Sequence, residues 1–338
     1  MKILIRNVLL ASLMIFAIFS SCTKSKLKES AIGKVEEIAI CASNTVYSST
    51  EKSILDALML EVTMPVRETV FYTVFVPLDK LHIYKKEKNI VFITNINRSD
   101  EYSQIINAFL TSEDMELVKK DGAIFFSVFD GFAKGQNIFI IAGNSEDAIN
   151  KIIAERKDDI RKFFLENAFR SLDMMVYFTG ENKRLNKEIL KKAGIRMKAP
   201  SDYETAFYDK KLNAYSIIAR YPDRIVTVMT SNDTTNFTYE WMINMRDKIG
   251  SEHFEGDRID TQFVKLEKTK IQFKGYPALE IKGTYANDKN QYGGPFIMYL
   301  VKAKEKLYFL DGHIFLPGDR KYFKLMETKT IMNTVEID

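Results

Sequence analysis

An apolar run from Val8 to Phe19, interrupted only by Ser12 and ended by Ser20-Ser21-Cys22, sets the terms for everything after it. A helix that crosses a bilayer needs about 20 apolar residues, and this run is shorter. Met1-Lys2-Ile3-Leu4-Ile5-Arg6 ahead of it is a cationic start, and Ser20 and Ser21 are small enough to admit a peptidase. These are the marks of a cleaved signal peptide over residues 1–21. No later stretch is long and apolar enough to span. The expectation is an exported, water-exposed body that must build its own core.

The chain has the material for that core. Of 338 residues, 46% are hydrophobic and 28% charged, a globular balance. The length suggests about two domains. The formal net charge is +4, and loss of Lys2 and Arg6 with the leader leaves +2 (4 − 2) on the mature side chains. Charges alternate in sign, as in Glu155-Arg156-Lys157-Asp158-Asp159, and form no basic stripe. Nucleic acid is therefore not an expected partner.

Phe19-Ser20-Ser21-Cys22 resembles a lipobox. In proteins with that signal the cysteine thiol takes diacylglycerol, the leader is cut ahead of it, and the new amino terminus is acylated. The resemblance implies cleavage between Ser21 and Cys22, lipid on Cys22 and a membrane partner held through that anchor. Two or more acyl chains hold a protein stably, at ~0.8 kcal/mol per buried methylene. Residues 22–33 then serve as a short polar tether. Thr23 stands where an aspartate would resemble an inner-membrane retention signal. Lys24, Lys26 and Lys28 stand where surface-exported lipoproteins carry acids. The expected address is the cell envelope, at the periplasmic face of the outer membrane.

Cys41 is the one thiol left, so no disulfide within the chain can staple the fold. It ends a strand pattern over 35–41 and is expected to be buried and structural. Residues 49–62 place Ile54, Leu55, Leu58 and Val62 on one helical face, with Ser49 or Thr50 as cap. Residues 69–76 and 89–95 are β-rich, and 99–120 is partly helical. Residues 123–129 and 136–142 flank a glycine-containing loop in a hairpin pattern. Ser145 can cap a long helix to about Tyr177, with Ile149, Ile152, Ile153, Ile160, Phe163, Phe164 and Leu172 as its apolar stripe. A short helix over 185–193 closes at Gly194. Strands are expected over 205–209, 214–221 and 225–230, then a helix over 240–249 carrying Trp241. Four more strands follow, over 270–273, 278–285, 296–303 and 307–316, and a last helix starts at Asp319. The expected fold class is α+β and not a doubly wound sheet. Two similar domains, 34–180 and 181–338, would each mix sheet and helix, with antiparallel hairpins and a closing helix.

Gln291-Tyr292-Gly293-Gly294-Pro295-Phe296, Arg246-Asp247, Glu280-Ile281-Lys282-Gly283-Thr284-Tyr285 and Gln136 resemble, together with the lipobox, a Bacteroidota lipoprotein family. It is known only as a domain of unknown function, number 4837. The resemblance runs from about Gly33 to Val335 and implies location and architecture, with no activity to carry over. From Lys274-Gly275-Tyr276-Pro277 to the end, the element order is also similar to the PsbP-type sandwich, which speaks to fold alone. Gly293, Gly294, Pro295 and Phe296 are expected as a structural turn with glycine at positive φ, or as a backbone surface for a ligand.

His82, His253 and His313 share no helical i,i+4 spacing, no cysteine pair exists, and nucleophile-elbow and phosphate-cradling motifs are missing. No catalytic residue, metal site or cofactor is expected. Glu252, Glu255, Asp257 and Asp260 read as a solvated acidic loop. Asp233-Thr234-Thr235 fits a short O-glycosylation pattern and makes Thr234 a candidate. The expected function is a lipid-anchored binding or accessory module whose partner, an envelope protein or a small ligand, sits in a groove between the domains. Two alternatives stand beside it. One is a hydrolase assembled from distant residues, with His253 or His313 beside a carboxylate. The other is a lipid carrier with an apolar cavity.

Overall fold

The computed structural model describes residues 28–337, apart from Pro65 and Phe263. Cys22, Ser21 and the leader lie outside the described residues. In the first half, β1 (Glu37–Cys41) is followed by α1 (Asn44–Leu58), a small ribbon of β2 (Glu61–Met64) and β3 (Val66–Thr69), and β4 (Tyr72–Val76). Next come α2 (Leu81–Tyr84), β5 (Asn89–Asn95), α3 (Glu101–Asn107), α4 (Ser112–Asp121), β6 (Ala123–Phe129) and β7 (Asn137–Gly143). The sheet order is β4-β1-β5-β7-β6. All pairings are parallel except the β6–β7 hairpin at the edge.

β5 and β7 are buried at every residue. Such two-sided burial belongs to parallel strands covered by helices on both faces. Leu81, Tyr102 and Ile106 cover one face through Phe92 and Ile140, while α1 and the helices after β7 cover the other. The first half therefore carries the parallel, doubly covered sheet that the sequence reading set aside. The α+β class, the hairpins and the closing helices hold for the chain as a whole.

Helix boundaries moved for local reasons. α1 starts at Asn44, and the Ser49 and Thr50 hydroxyls donate back into it, to Thr45 O at 3.1 Å and Val46 O at 2.8 Å. Ser145 caps as expected, accepting from Ala148 N at 3.2 Å. The long helix it starts is two helices, α5 (Glu146–Glu155) and α6 (Lys157–Val176). The break is Arg156, at φ −115° and ψ 19°. Its guanidinium leaves the helix axis to lie 5.0 Å from the Phe125 ring centroid and 2.6 Å from Asp159.

The second half opens with α7 (Lys183–Ala193), closed by Gly194 at φ +68°. β8 (Glu204–Asp209), β9 (Ala214–Ala219) and β10 (Asp223–Ser231) precede α8 (Tyr239–His253). β11 (Arg258–Asp260), β12 (Glu267–Phe273), β13 (Tyr276–Asn287), β14 (Tyr292–Ala303) and β15 (Lys306–Phe315) lead to α9 (Tyr322–Met332). These eight strands make one antiparallel sheet, β11-β13-β14-β15-β10-β9-β8, with β12 also on β13. α8 covers its outer face. Its inner face joins α9 and the first half in one core, where Tyr215, Val228, Tyr299 and Leu310 share a cluster with Ile40, Ile141 and Phe164.

Cys41 is fully buried, and burial pushes its thiol well above the usual range, as a packing residue requires.

Candidate functional site: a groove between the halves

The end of α6 and the start of α9 meet where the halves join. Two adjoining hollows of about 280 Å³ and about 300 Å³ share Met175, Lys324 and Glu327, and so form one groove. Val35, Val70, Leu172 and Phe323 supply apolar floor to the first hollow. Apolar side chains also stand at the lip. Phe178 is 87% exposed and Met175 49%, apolar surface left uncovered beside the floor.

The groove's main charges are already paired. Arg224 reaches Glu327 at 2.7 Å and Asp202 at 2.8 Å, and Lys324 reaches Glu327 at 2.6 Å. The Arg224 guanidinium also lies 5.7 Å from the Tyr203 ring centroid. What is left to an occupant is apolar surface with a fixed polar frame, the usual make-up of a binding cleft.

The two walls are tied together across more than the core. α9 has no side-chain cap of its own. Glu68, from β3 in the other half, supplies one, its carboxylate accepting from Lys321 N at 2.9 Å and Tyr322 N at 3.3 Å. Arg320 donates to Thr69 Oγ1 at 2.7 Å and lies 4.9 Å from the Tyr72 ring centroid. A carboxylate at a helix N-terminus both satisfies orphan amides and opposes the helix dipole. Glu68→Ala is expected to cost about 1–2 kcal/mol in urea unfolding, with Glu68→Gln intermediate because it still accepts.

Sequence placed other candidates elsewhere. Gly293, Gly294, Pro295 and Phe296 lie inside β14, paired with β13, and are not a turn. Neither glycine has positive φ; Gln291 takes that role at φ +52°. Small size is what the site demands. A Cβ on Gly293 would stand 2.3 Å from Tyr285 O, and one on Gly294 2.1 Å from Ile314 O. Gly294→Ala is expected to lower stability by about 1–3 kcal/mol, seen as a lower Tm. Pro295 sits one residue outside the β14–β15 ladder, where a missing donor is tolerated. Thr234 begins a single turn over Thr234–Asn236, with Asp233 accepting from Thr235.

Two of the three histidines meet carboxylates. His253 Nε2 is 3.0 Å from Asp209, and His313 Nδ1 is 3.2 Å from Asp311. His82 is exposed and contacts Asp79 O at 2.8 Å. His313 is only 1% exposed. The cavity that His253 lines has no serine, threonine or cysteine in its wall. Arg246 forms a buried structural ion pair with Asp311 at 3.4 Å. The group Asp209, Glu252 and His253 brings three ligand-type atoms within 4.8 Å of one another, which spacing along the chain did not reveal.

Fold and groove define a protein of two α+β halves built round a shared helical layer. Residues 182–334 match the family model "Domain of unknown function (DUF4837)", and residues 31–176 match "Domain of unknown function (DUF8532)". The resemblance expected from Gly33 to Val335 is thus shown for the second half, and the first half matches a family of its own. No curated protein matches the chain. Solved structures similar to part of it include a protein of Bacteroides thetaiotaomicron, at 10% identity and TM-score 0.27, covering 43% of this chain and 45% of that one. Another is the Ran-binding protein Mog1p of Saccharomyces cerevisiae, at 8% identity and TM-score 0.29, covering 42% and 89%. A third is the cyanobacterial PsbP (CyanoP) of Synechocystis, at 10% identity and TM-score 0.30, covering 44% and 88%.

Proposed function

We propose that this chain is a lipid-anchored envelope protein that acts as a binding or accessory module, with the groove between its halves as the binding site. The groove carries the reading: an apolar floor, paired charges and an exposed Phe178 and Met175 at one lip. Its walls are locked by a common core and by Glu68 on α9, so an occupant meets a preformed cleft and little ordering cost is lost on binding. The occupant is an amphipathic small molecule or an apolar segment of another envelope protein. Attachment through lipid on Cys22, at the periplasmic face of the outer membrane, rests on the leader and on Ser20-Ser21-Cys22.

Two measurements test the two parts. Cells fed an alkyne palmitate are expected to label the wild type and not Cys22→Ser. Purification from the native envelope, with mass spectrometry of what travels with the protein, is expected to find a species depleted about tenfold by Met175→Lys, a loss near 1.4 kcal/mol. A wild type that carries the same companions as the variant would sink the groove reading while leaving the anchor standing.

A further inference from the structure

A second cavity, of about 350 Å³, opens on the other face of the eight-stranded sheet. Arg224 faces the groove between the halves, while its neighbours Asp223 and Ile225 line this cavity, as alternation along β10 requires. The two sites are therefore separate. The cavity wall is aromatic: Phe207 from β8, Phe254 after α8, Tyr285 from β13, Tyr292 from β14 and Phe315 from β15. Phe207 stacks on His253 at 4.0 Å and 8°, which fixes both rings.

The charge at this site is negative. Asp223, Glu255 and Asp257 line it, and Asp311 lies behind. Against these four carboxylates stand two guanidiniums, Arg220 and Arg246, already paired with Asp223 at 3.0 Å and Asp311 at 3.4 Å, and two histidines, His253 and His313, beside Asp209 at 3.0 Å and Asp311 at 3.2 Å. Asp257 is 4% exposed, with Asn287 donating to it at 2.8 Å. Burial pushes its carboxyl above the usual range in spite of that hydrogen bond and of the nearby Arg246 charge. α8 ends here, at His253, so the negative end of its dipole adds to the same field.

We propose that this cavity binds an organic ammonium ion, its charge against Asp257 and its alkyl groups against Phe207, Phe254, Tyr292 and Phe315. Aromatic faces and a buried carboxylate both favour such a cation, and its alkyl groups meet the apolar wall. A cavity of this size takes a small primary or quaternary amine.

The test is ligand-observed NMR titration of the full soluble body with choline, n-butylammonium and 3,3-dimethylbutan-1-ol, the neutral carbon isostere of choline. Both ammonium probes are expected to saturate, and the alcohol to bind about tenfold more weakly. Asp257→Asn keeps the shape and the Asn287 contact and is expected to lose about tenfold for choline. Should Asp257→Asn not fold, Phe207→Leu, at a half-buried edge-strand position, is expected to lose several-fold. Equal binding of the alcohol, or unchanged choline binding in whichever variant folds, overturns the proposal. So does an absence of saturation by either ammonium probe below about 50 mM.

Discussion

Asp311→Ala is expected to cost about 3–5 kcal/mol in urea unfolding, because it leaves two basic side chains buried without their partner. Arg246, Asp311 and His313 are 2%, 2% and 1% exposed. Arg246 comes from α8 and lies over the Phe296 ring at 4.3 Å, while Asp311 and His313 rise from one face of β15. Burial alone would raise the Asp311 carboxyl. The Arg246 charge and the His313 hydrogen bond outweigh it and hold the carboxyl below the usual carboxylate range. The sign follows from linkage: a depressed acid contributes stability that is fully present above its unfolded value, about 3.9, and is lost as pH falls through the folded value. Wild type should therefore lose stability below about pH 4 by a component that Asp311→Asn lacks. Parallel acid unfolding curves for the two would refute this assignment. So would an alanine variant as stable as wild type.

That ion pair shows how far the sequence could be read. Asp311-Gly312-His313 has the period of two that puts both side chains on one strand face, so their contact was open to inspection. The partner of Arg246 lies in a strand that only the folded sheet brings under α8. Local signals carried most boundaries. β5 and β6 fall where the β-rich runs stand, and Gly194 closes α7 in the left-handed region. Pairing order was less legible. The uninterrupted apolar runs of β5 and β7 already implied burial on both faces, hence parallel neighbours, yet the hairpin at β6–β7 suggested antiparallel layers. The groove was foreseen as a place between two halves and not as a set of residues. Glu68 caps a helix more than 250 residues away, and nothing in its neighbourhood along the chain marks it for that task. The glycines of β14 were read as a turn at positive φ, and the structure gives another reason for them: a side chain there would crowd Tyr285 O and Ile314 O.

Two family models divide the chain between residues 176 and 182, but the packing predicts that the halves unfold together. Phe71 is the test position. It is 4% exposed and lies between Phe164 of α6, at 6.2 Å, and Phe323 of α9, at 6.0 Å. Removing a buried aromatic ring costs about 3–5 kcal/mol through lost transfer energy and the cavity left behind. If the halves were independent, Phe71→Ala would weaken the first and leave the second as it was. The chain supplies its own reporter, since its one tryptophan, Trp241, sits on the outer face of the second sheet against Phe309 at 6.0 Å. With one shared core, the Trp241 fluorescence transition is expected to move to lower urea by the same interval as the far-UV circular dichroism transition. A fluorescence midpoint that stays in place while the dichroism midpoint shifts would show two separately stable domains. The groove walls could then move against each other, and the preformed cleft on which the binding reading depends would be lost.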